Sequence, residues 1–208
     1  MKNTYTRIKR VGVRRALVRK VLTLALSIRA YIYRILLSDN KPVLRKTKLL
    51  QATQFSGKGR IQVDQAQLGV WASPGLVNQS GYIEARGENA EVKIGQKTVL
   101  NNSFVIIADR GCIHIGSNCL IGPNFYVSDS DFHGLEVEDR QNGNYKCEPV
   151  TVKDDVFIGE GVRILKGVTV GTGSVIGSGS LVVSDIEDYC VYAGVPARKI
   201  KSLAGKKA

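Results

Sequence analysis

The stretch VKDDVFIGEGVRILKGVTVGTGSVIGSGSLVV, from Val152 to Val183, decides the fold. An aliphatic residue occupies every sixth position in it, without a break: Val152, Ile158, Ile164, Val170, Ile176 and Val182. An α-helix repeats near 3.6 residues and an ordinary strand every two, so neither explains this period. Such a period is typical of a parallel β-helix, in which each hexapeptide forms one short strand and one corner. The aliphatic side chain points into the shaft, and three hexapeptides complete one triangular coil.

The same spacing occurs earlier in the chain, at Ile94, Leu100 and Ile106 and again at Ile115, Ile121 and Val127. From 51 to 89 the repeat is degenerate, and between Val127 and Val152 it fails altogether. A solenoid accommodates an insertion only as a loop that leaves the shaft, and such loops commonly carry function. This insertion is polar and contains His133 and an Asn142-Gly143 turn signal. It is therefore the first place to look for chemistry.

The first 50 residues differ from the repeat in charge and in periodicity. Residues 1–48 hold 14 Lys and Arg against one acid, Asp39, whereas the rest of the chain is close to neutral. Apolar residues recur there at spacings of three and four, which predicts a basic amphipathic helix. They are Leu17, Val21, Leu24, Ile28, Tyr31, Ile32 and Ile35. Leu22, Leu26 and Tyr33 interrupt the polar side of this helix.

The charge pattern favours a helix that lies on a surface over one that spans a membrane. Its longest uncharged run, Val21–Ile28, is far shorter than the ~20 apolar residues that cross a bilayer. We expect residues 7–37 to lie on an anionic membrane face. Packing of the apolar stripe on the β-helix or on a partner subunit is the open alternative. Nucleic acid is not expected as a partner, since no basic and aromatic binding motif is present.

Composition sets further limits. The four cysteines show no CxxC pairing, which indicates small apolar residues in a reducing compartment: Cys112, Cys119, Cys147 and Cys190. Two histidines are too few for a His-rich site, so no metal is expected. His114 alternates with buried-type isoleucines and is expected to be structural. We expect a cytoplasmic protein, peripheral on the inner face of the cytoplasmic membrane.

The glycine-rich and closing stretches resemble the hexapeptide-repeat acyltransferases. The resemblance rests on Ile158-Gly159, Val170-Gly171, Ile176–Ser180 and the YAGVPARKI run Tyr192–Ile200, and it covers roughly residues 90–203. The most similar branch comprises the galactoside and maltose O-acetyltransferases, with the related capsule and exopolysaccharide O-acetyltransferases. The resemblance implies an all-β left-handed parallel β-helix, a homotrimer with active sites between subunits, and acetyl-CoA as the acetyl donor. The expected segments are a helical region 1–50, coils over 51–190 interrupted by a loop at 128–151, and a C-terminal cap and basic tail at 191–208.

The resemblance also implies roles for individual residues. His133, in the interrupting loop, matches the general base of the family. Asn102, Asp109 and Asp131 fall on the acceptor side. Phe157 stands where the galactoside branch carries tryptophan, and Ser184 stands where the family often carries lysine. The donor side is expected to comprise Phe157, Glu160, Gly177, Ser178, Val183, Ser184, Arg198 and Lys201.

The chemistry expected from these residues is acetyl transfer from a thioester to a sugar hydroxyl of a surface-polysaccharide precursor, free or lipid-linked. A neutral histidine suits removal of the hydroxyl proton at cell pH. The second ring nitrogen needs a fixed partner, for which Asp131, Asp129 and a main-chain carbonyl are alternatives. N-acylation of an amino-sugar nucleotide and a non-catalytic β-helix scaffold are the competing functions.

Overall fold

The computed structural model describes residues 2–204, with side chains from Arg14 onward. It contains one long helix, α1 (Lys2–Ile35), followed by short strands only. Residues 7–13 of the surface segment expected at 7–37 therefore lie outside the described side chains. The last four residues of the expected basic tail, 205–208, also lie outside the described residues.

Twenty strands follow α1. They are β1 (Val43–Arg45), β2 (Lys48–Leu49), β3 (Thr53–Ser56), β4 (Arg60–Asp64), β5 (Gln67–Leu68), β6 (Gly81–Ala85), β7 (Glu91–Ile94), β8 (Val99–Leu100), β9 (Val105–Ala108), β10 (Cys112–Ile115), β11 (Leu120–Ile121), β12 (Tyr126–Ser128), β13 (Val150–Val152), β14 (Phe157–Ile158), β15 (Arg163–Ile164), β16 (Thr169–Val170), β17 (Val175–Ile176), β18 (Leu181–Val182), β19 (Cys190–Gly194) and β20 (Ala197–Ser202).

These strands form three sheets that make the sides of a triangular prism. Sheet A has the order β1-β4-β7-β10-β13-β16, sheet B has β2-β5-β8-β11-β14-β17-β19-β20, and sheet C has β3-β6-β9-β12-β15-β18. Every pairing is parallel except β19 with β20, which closes the end of the shaft as an antiparallel cap. Successive strands along the chain move from one sheet to the next, so each coil contributes one strand to each side. The predicted parallel β-helix is confirmed.

The period of six is explained by the inward column of aliphatic side chains. Ile121, Ile158 and Ile176 occupy matching positions in successive coils of sheet B. Val127, Ile164 and Val182 do the same in sheet C, and each of these six side chains is at most 3% exposed. The shaft interior is thus one continuous apolar core, and the residue before each aliphatic faces outward.

The shaft begins within the first 50 residues, because β1 already pairs with β4 at Val43↔Gln62. The early coils repeat irregularly since loops of several lengths join their strands, including the turn region around Trp71. Among the described residues no helix is long and apolar enough to cross a membrane.

Helix α1 packs on the shaft with a different side from the one that the sequence pattern suggests. The residues that are partly covered are Leu22, Leu26, Arg29, Ala30 and Tyr33. Arg29 fixes the contact, since its Nη1 donates to the carbonyl of Val77 at 2.9 Å. The regular apolar stripe of α1 remains exposed within the chain. The alternative in which the stripe packs on its own β-helix is therefore wrong.

Candidate active site

The repeat is interrupted after β12, where the chain leaves the shaft, and it resumes at β13. A short antiparallel neck closes this loop: Ser130 and Cys147 form a bridge, and the Glu148 N–H donates to the Asp129 carbonyl at 2.8 Å. The loop therefore emerges from the corner between sheets C and A as a fixed structure. The loop spans residues 129–149, between the end of β12 at Ser128 and the start of β13 at Val150.

Two buried carboxylates hold the base of the loop. Asp129, fully buried, accepts hydrogen bonds from the N–H groups of Asp109 at 2.7 Å and Gly111 at 2.8 Å. Asp109 is 2% exposed and receives Arg86 Nη1 at 3.0 Å. The Arg110 Nε lies 3.5 Å from its other oxygen. Asp109 is thus engaged by two arginines beneath the loop.

The same two arginines contact aromatic side chains of the loop. The Arg86 guanidinium lies 5.0 Å from the centre of the Phe132 ring, and that of Arg110 lies 4.1 Å from the centre of the Tyr145 ring. Both distances are within the range of cation–π attraction. Hydrogen bonding to Glu84 raises the pKa of Arg86 above its usual range, with further contributions from Glu84 and Asp109 charge. Arg86 and Arg110 therefore form a platform at the base of the loop, in which each guanidinium faces Asp109 on the shaft side and an aromatic ring on the loop side.

His133 directly follows Phe132, whose ring lies on this platform. Its Nδ1 is 2.8 Å from the main-chain carbonyl of Arg140. A carbonyl oxygen only accepts, so Nδ1 carries the proton and the neutral ring has its lone pair on Nε2. Of the three partners considered from sequence, the main-chain carbonyl is the one that orients the ring. Asp129 is occupied beneath the loop, and Asp131 pairs with Lys166.

A cavity of about 360 Å³ opens beside His133. The ion pair between Asp131 Oδ1 and Lys166 Nζ, 2.8 Å apart, forms part of its wall. The cavity is lined by Asp131, His133, Gly134, Leu135, Glu136, Asp139, Asn144, Tyr145, Lys146 and Lys166. Its wall combines apolar surface with charged side chains of both signs, which suits a ligand that bears hydroxyl groups.

Lys166 is a cavity residue that the sequence analysis missed. It belongs to the regular coils, two residues after Ile164, and the coil register places it beside the neck of the loop. A signal was available, because Ile164 aligns with Val127 and the next two positions therefore align with the start of the insertion. Tyr145 and Lys146 were missed for a different reason: they lie in the insertion, where no repeat assigns positions.

Asn102 lies away from this cavity. It is fully buried, and its side-chain nitrogen donates to the carbonyls of Val70, Ser73 and Pro74 while its oxygen accepts the Val70 N–H. All of its hydrogen-bonding capacity is used by one turn of the early coils. The structure therefore does not bring Asn102 together with His133 in one chain, and it gives Asn102 a structural role.

The cysteines do not provide a nucleophile for this site. All four are free thiols in the described part of the chain. Burial raises the pKa of Cys147, the cysteine of the loop neck, and that of Cys119 in the shaft. A raised pKa disfavours the thiolate, which is the reactive form.

One group of expected donor residues lines the corner between sheets B and C. Glu160 and Ser178 are exposed there in successive coils, joined by a Gly179 N–H bond of 2.7 Å to the Glu160 carbonyl. Gly177 precedes Ser178, and Arg198 pairs with Ala193 at the end of the same column. Lys201 pairs with Val191 on the cap. We call this column the donor corner.

The other expected donor residues lie elsewhere. Val183 and Ser184 follow β18 on the corner between sheets C and A, one coil beyond Leu165 and Lys166. This is the corner from which the His133 loop emerges, and we call it the loop corner. Phe157 is half-exposed on sheet B, where it pairs in register with exposed Leu120. The candidate residues therefore occupy two corners and one side of the prism.

Comparison with known proteins agrees with this fold and loop. The family model described as bacterial transferase hexapeptide (six repeats) matches residues 149–184. A Dictyostelium discoideum protein, provisionally named an acetyltransferase, is 36% identical over 137 residues, which cover 66% of this chain and 67% of that protein.

The chain belongs to the hexapeptide-repeat acyltransferase family. Its shaft is accordingly the left-handed parallel β-helix that the resemblance implied.

Two further family members are informative. The galactoside O-acetyltransferase of Escherichia coli K12 is 40% identical over 114 residues, 55% of each chain. The crystal structure of a polysialic-acid-specific acetyltransferase is 25% identical, covers 82% of this chain and 81% of its own, and superposes with a TM-score of 0.58. The chain spans about half of the length of the first curated relatives that it matches.

Proposed function

We propose that this protein is an O-acetyltransferase that moves an acetyl group from acetyl-CoA to a sugar hydroxyl of a surface-polysaccharide precursor. The observation that carries the proposal is His133, whose Nδ1 is held by the Arg140 carbonyl so that Nε2 is left as a base beside a cavity that His133 lines. The galactoside and polysialic-acid enzymes support a sugar acceptor, since both act on carbohydrate according to their names. Acetyl-CoA is the donor that the family implies.

In this mechanism neutral His133 removes the hydroxyl proton through Nε2 as the acceptor oxygen attacks the thioester carbonyl. The C–S bond then breaks, and the imidazolium returns the proton to the leaving CoA thiolate. The Arg140 carbonyl keeps the same tautomer available and stabilises the imidazolium while it exists. No covalent enzyme intermediate is needed, in agreement with the raised thiol pKa of Cys147.

We further propose that the catalytic unit is a homotrimer. The His133 loop presents Leu135 and Val137, which are 82% and 72% exposed. Leu120 and Phe157 form a second apolar patch on sheet B, around the corner of the same prism. We propose that these two different patches cover each other between copies, which is a heterologous interface, and that its rotation closes into a ring of three.

A ring also explains the placement of the donor residues. In one chain the donor corner and the loop corner are separated by the whole width of sheet C, from Ser178 to Ser184. In a ring the loop corner of one copy lies beside the donor corner and Phe157 of the next. Acetyl-CoA bound in that groove would meet His133 of one subunit and Ser178 of its neighbour.

The function is tested by measuring CoA thiol release and acetylated product with acetyl-CoA and a panel of sugars. We expect O-acetyl product with the wild type and a rate reduced by ~10²–10⁴-fold in His133→Ala. His114→Ala is the matched control and is expected to retain the rate. His114 lies on sheet A, away from the loop, and its Nε2 is 3.1 Å from Glu91 Oε2.

The outcomes separate the competing functions. Product only with amino-sugar nucleotides, carrying an amide, would replace O-acetylation by N-acylation. Equal rates in His133→Ala and the wild type would overturn the assignment of the base. Absence of acetyl transfer to every acceptor, together with no binding of acetyl-CoA in calorimetry, would favour a non-catalytic scaffold.

A further inference from the structure

Helix α1 exposes a continuous apolar stripe along its described length. We call it the outer stripe and define it as Leu17, Val21, Leu24, Ile28, Tyr31, Ile32 and Ile35. Each of these side chains is exposed, four of them by more than 60%. An apolar stripe of this length on a surface helix marks a contact that the single chain does not make.

The outer stripe faces away from the shaft. Successive residues of an α-helix are separated by about 100° around its axis. On that scale the stripe is centred about 150° from the side formed by Leu22, Leu26 and Tyr33, which is partly covered by the shaft. Arg29 holds the covered side to the 76–77 loop through its bond to the Val77 carbonyl. Folding of this chain alone therefore does not cover the outer stripe.

Two bases flank the outer stripe, on a helix that carries no acid. Helix α1 contains Lys or Arg at ten positions and no acid: Lys2, Arg7, Lys9, Arg10, Arg14, Arg15, Arg19, Lys20, Arg29 and Arg34. Arg14 and Lys20 lie at the two edges of the stripe, within about 70° of its centre. A planar apolar face bordered by cations is the pattern of a helix that lies at a lipid interface, with its apolar side chains below the headgroups.

We propose that the outer stripe of α1 binds the surface of an anionic lipid bilayer, with the helix parallel to the membrane plane. The apolar side chains enter the boundary between headgroups and acyl chains, and the flanking bases pair with lipid phosphates. A second copy of α1 is a poor occupant, because two helices with ten bases each and no acid repel one another. A nucleic acid would meet the bases but would leave the outer stripe exposed to water.

The test is co-sedimentation of the full-length protein with vesicles. One set contains phosphatidylcholine and phosphatidylglycerol at 7:3, and the other contains phosphatidylcholine alone. We expect binding to the anionic vesicles to be at least ~10-fold stronger than to the neutral ones, and to weaken as salt is raised.

Two variants with the same added charge distinguish the contribution of the outer stripe to vesicle binding from that of net charge. Leu24→Glu/Ile28→Glu places two carboxylates on the outer stripe, and Thr23→Glu/Ser27→Glu places two on the exposed polar side of the same turns. We expect the first variant to lose vesicle binding by ~10-fold or more and the second to retain it within ~3-fold. Both should keep the wild-type circular dichroism spectrum and the rate of acetyl transfer to a soluble sugar.

Each other result overturns the proposal. Equal vesicle binding by the two variants would show that charge alone is responsible. Absence of vesicle binding by the wild type, combined with a lower mass for Leu24→Glu/Ile28→Glu than for its control in sedimentation velocity, would show that another copy of the chain covers the outer stripe. Because acetyl transfer is measured separately, failure here leaves the proposed function standing.

Discussion

At the scale of residues, Asp109 shows how the loop is fixed to the shaft. Its carboxylate is 2% exposed and is balanced by Arg86 at 3.0 Å. Removing Arg86, whose side chain is 44% exposed, leaves the buried Asp109 with one cation fewer, which costs less than the ~3–5 kcal/mol typical of a fully buried ion pair. The Arg110 guanidinium, 3.5 Å from the second oxygen, offsets part of that cost.

We therefore predict that Arg86→Ala lowers the free energy of unfolding by about 2 kcal/mol, as measured by urea denaturation. Arg60→Ala is the control, since Arg60 is largely exposed and only 4.0 Å from Glu91, and it should cost less than about 1 kcal/mol. Arg86→Ala should also slow acetyl transfer, because Phe132 loses its cationic support next to His133. Equal stability losses in the two variants would contradict this account of the platform.

Individual residues also show how much of the candidate site the sequence predicts. His133 was found because it lies in the one polar interruption of a regular repeat. Its partner, the Arg140 carbonyl, was left among three alternatives, since main-chain geometry within an insertion carries no periodic signal. Asn102 and Asp109 were placed by resemblance on the acceptor side, whereas their burial depends on a turn and an arginine from other coils.

At the scale of elements, the corners of the coils depend on close stacking. A Cβ at Gly159 would lie 2.6 Å from the main-chain nitrogen of Ser178 in the next coil, and a backbone atom cannot yield as a flexible side chain does. We predict that Gly159→Ala lowers the free energy of unfolding by about 1–3 kcal/mol. Thermal or urea denaturation provides the measurement.

The neighbouring Glu160→Ala is the control for this prediction. Glu160 is exposed at the same corner, so its truncation should change stability by less than about 0.5 kcal/mol. If Gly159→Ala were as stable as Glu160→Ala, the corners would be looser than the stacked coils indicate.

The elements were predictable to different degrees. The regular coils followed from the period of six, because each inward aliphatic has one defined place in the shaft. The existence of α1 followed from spacings of three and four, but the side that packs did not. Helix α1 has two apolar sides. The side with Leu22, Leu26 and Tyr33 contacts the shaft, because Arg29 on that side donates to the carbonyl of Val77 in the 76–77 loop.

At the scale of the whole molecule, the candidate residues lie on two corners of one prism. The His133 loop and Ser184 mark the loop corner, whereas Glu160 and Ser178 mark the donor corner. The period of six is sufficient to assign this division, since Ser178 follows the inward Ile176 of sheet B and Ser184 follows Val182 of sheet C, six residues later. We propose that each acetyl-transfer site lies between two copies of the chain, where the two corners meet.

Mixed trimers of two inactive variants test this central claim most directly. His133→Ala removes the base, and Ser178→Trp fills the donor corner at an exposed position. Each variant alone should be inactive. Co-expression with two different affinity tags, followed by purification on both, isolates trimers that contain both chains.

In a closed ring, every such mixed trimer has one interface at which an intact His133 meets an intact donor corner. We predict that these trimers release CoA from acetyl-CoA, in the presence of the acceptor, at about one third of the wild-type rate. Recovery to no more than the rate of either variant alone would contradict the account, because it would place His133 and the donor corner of each site in the same subunit.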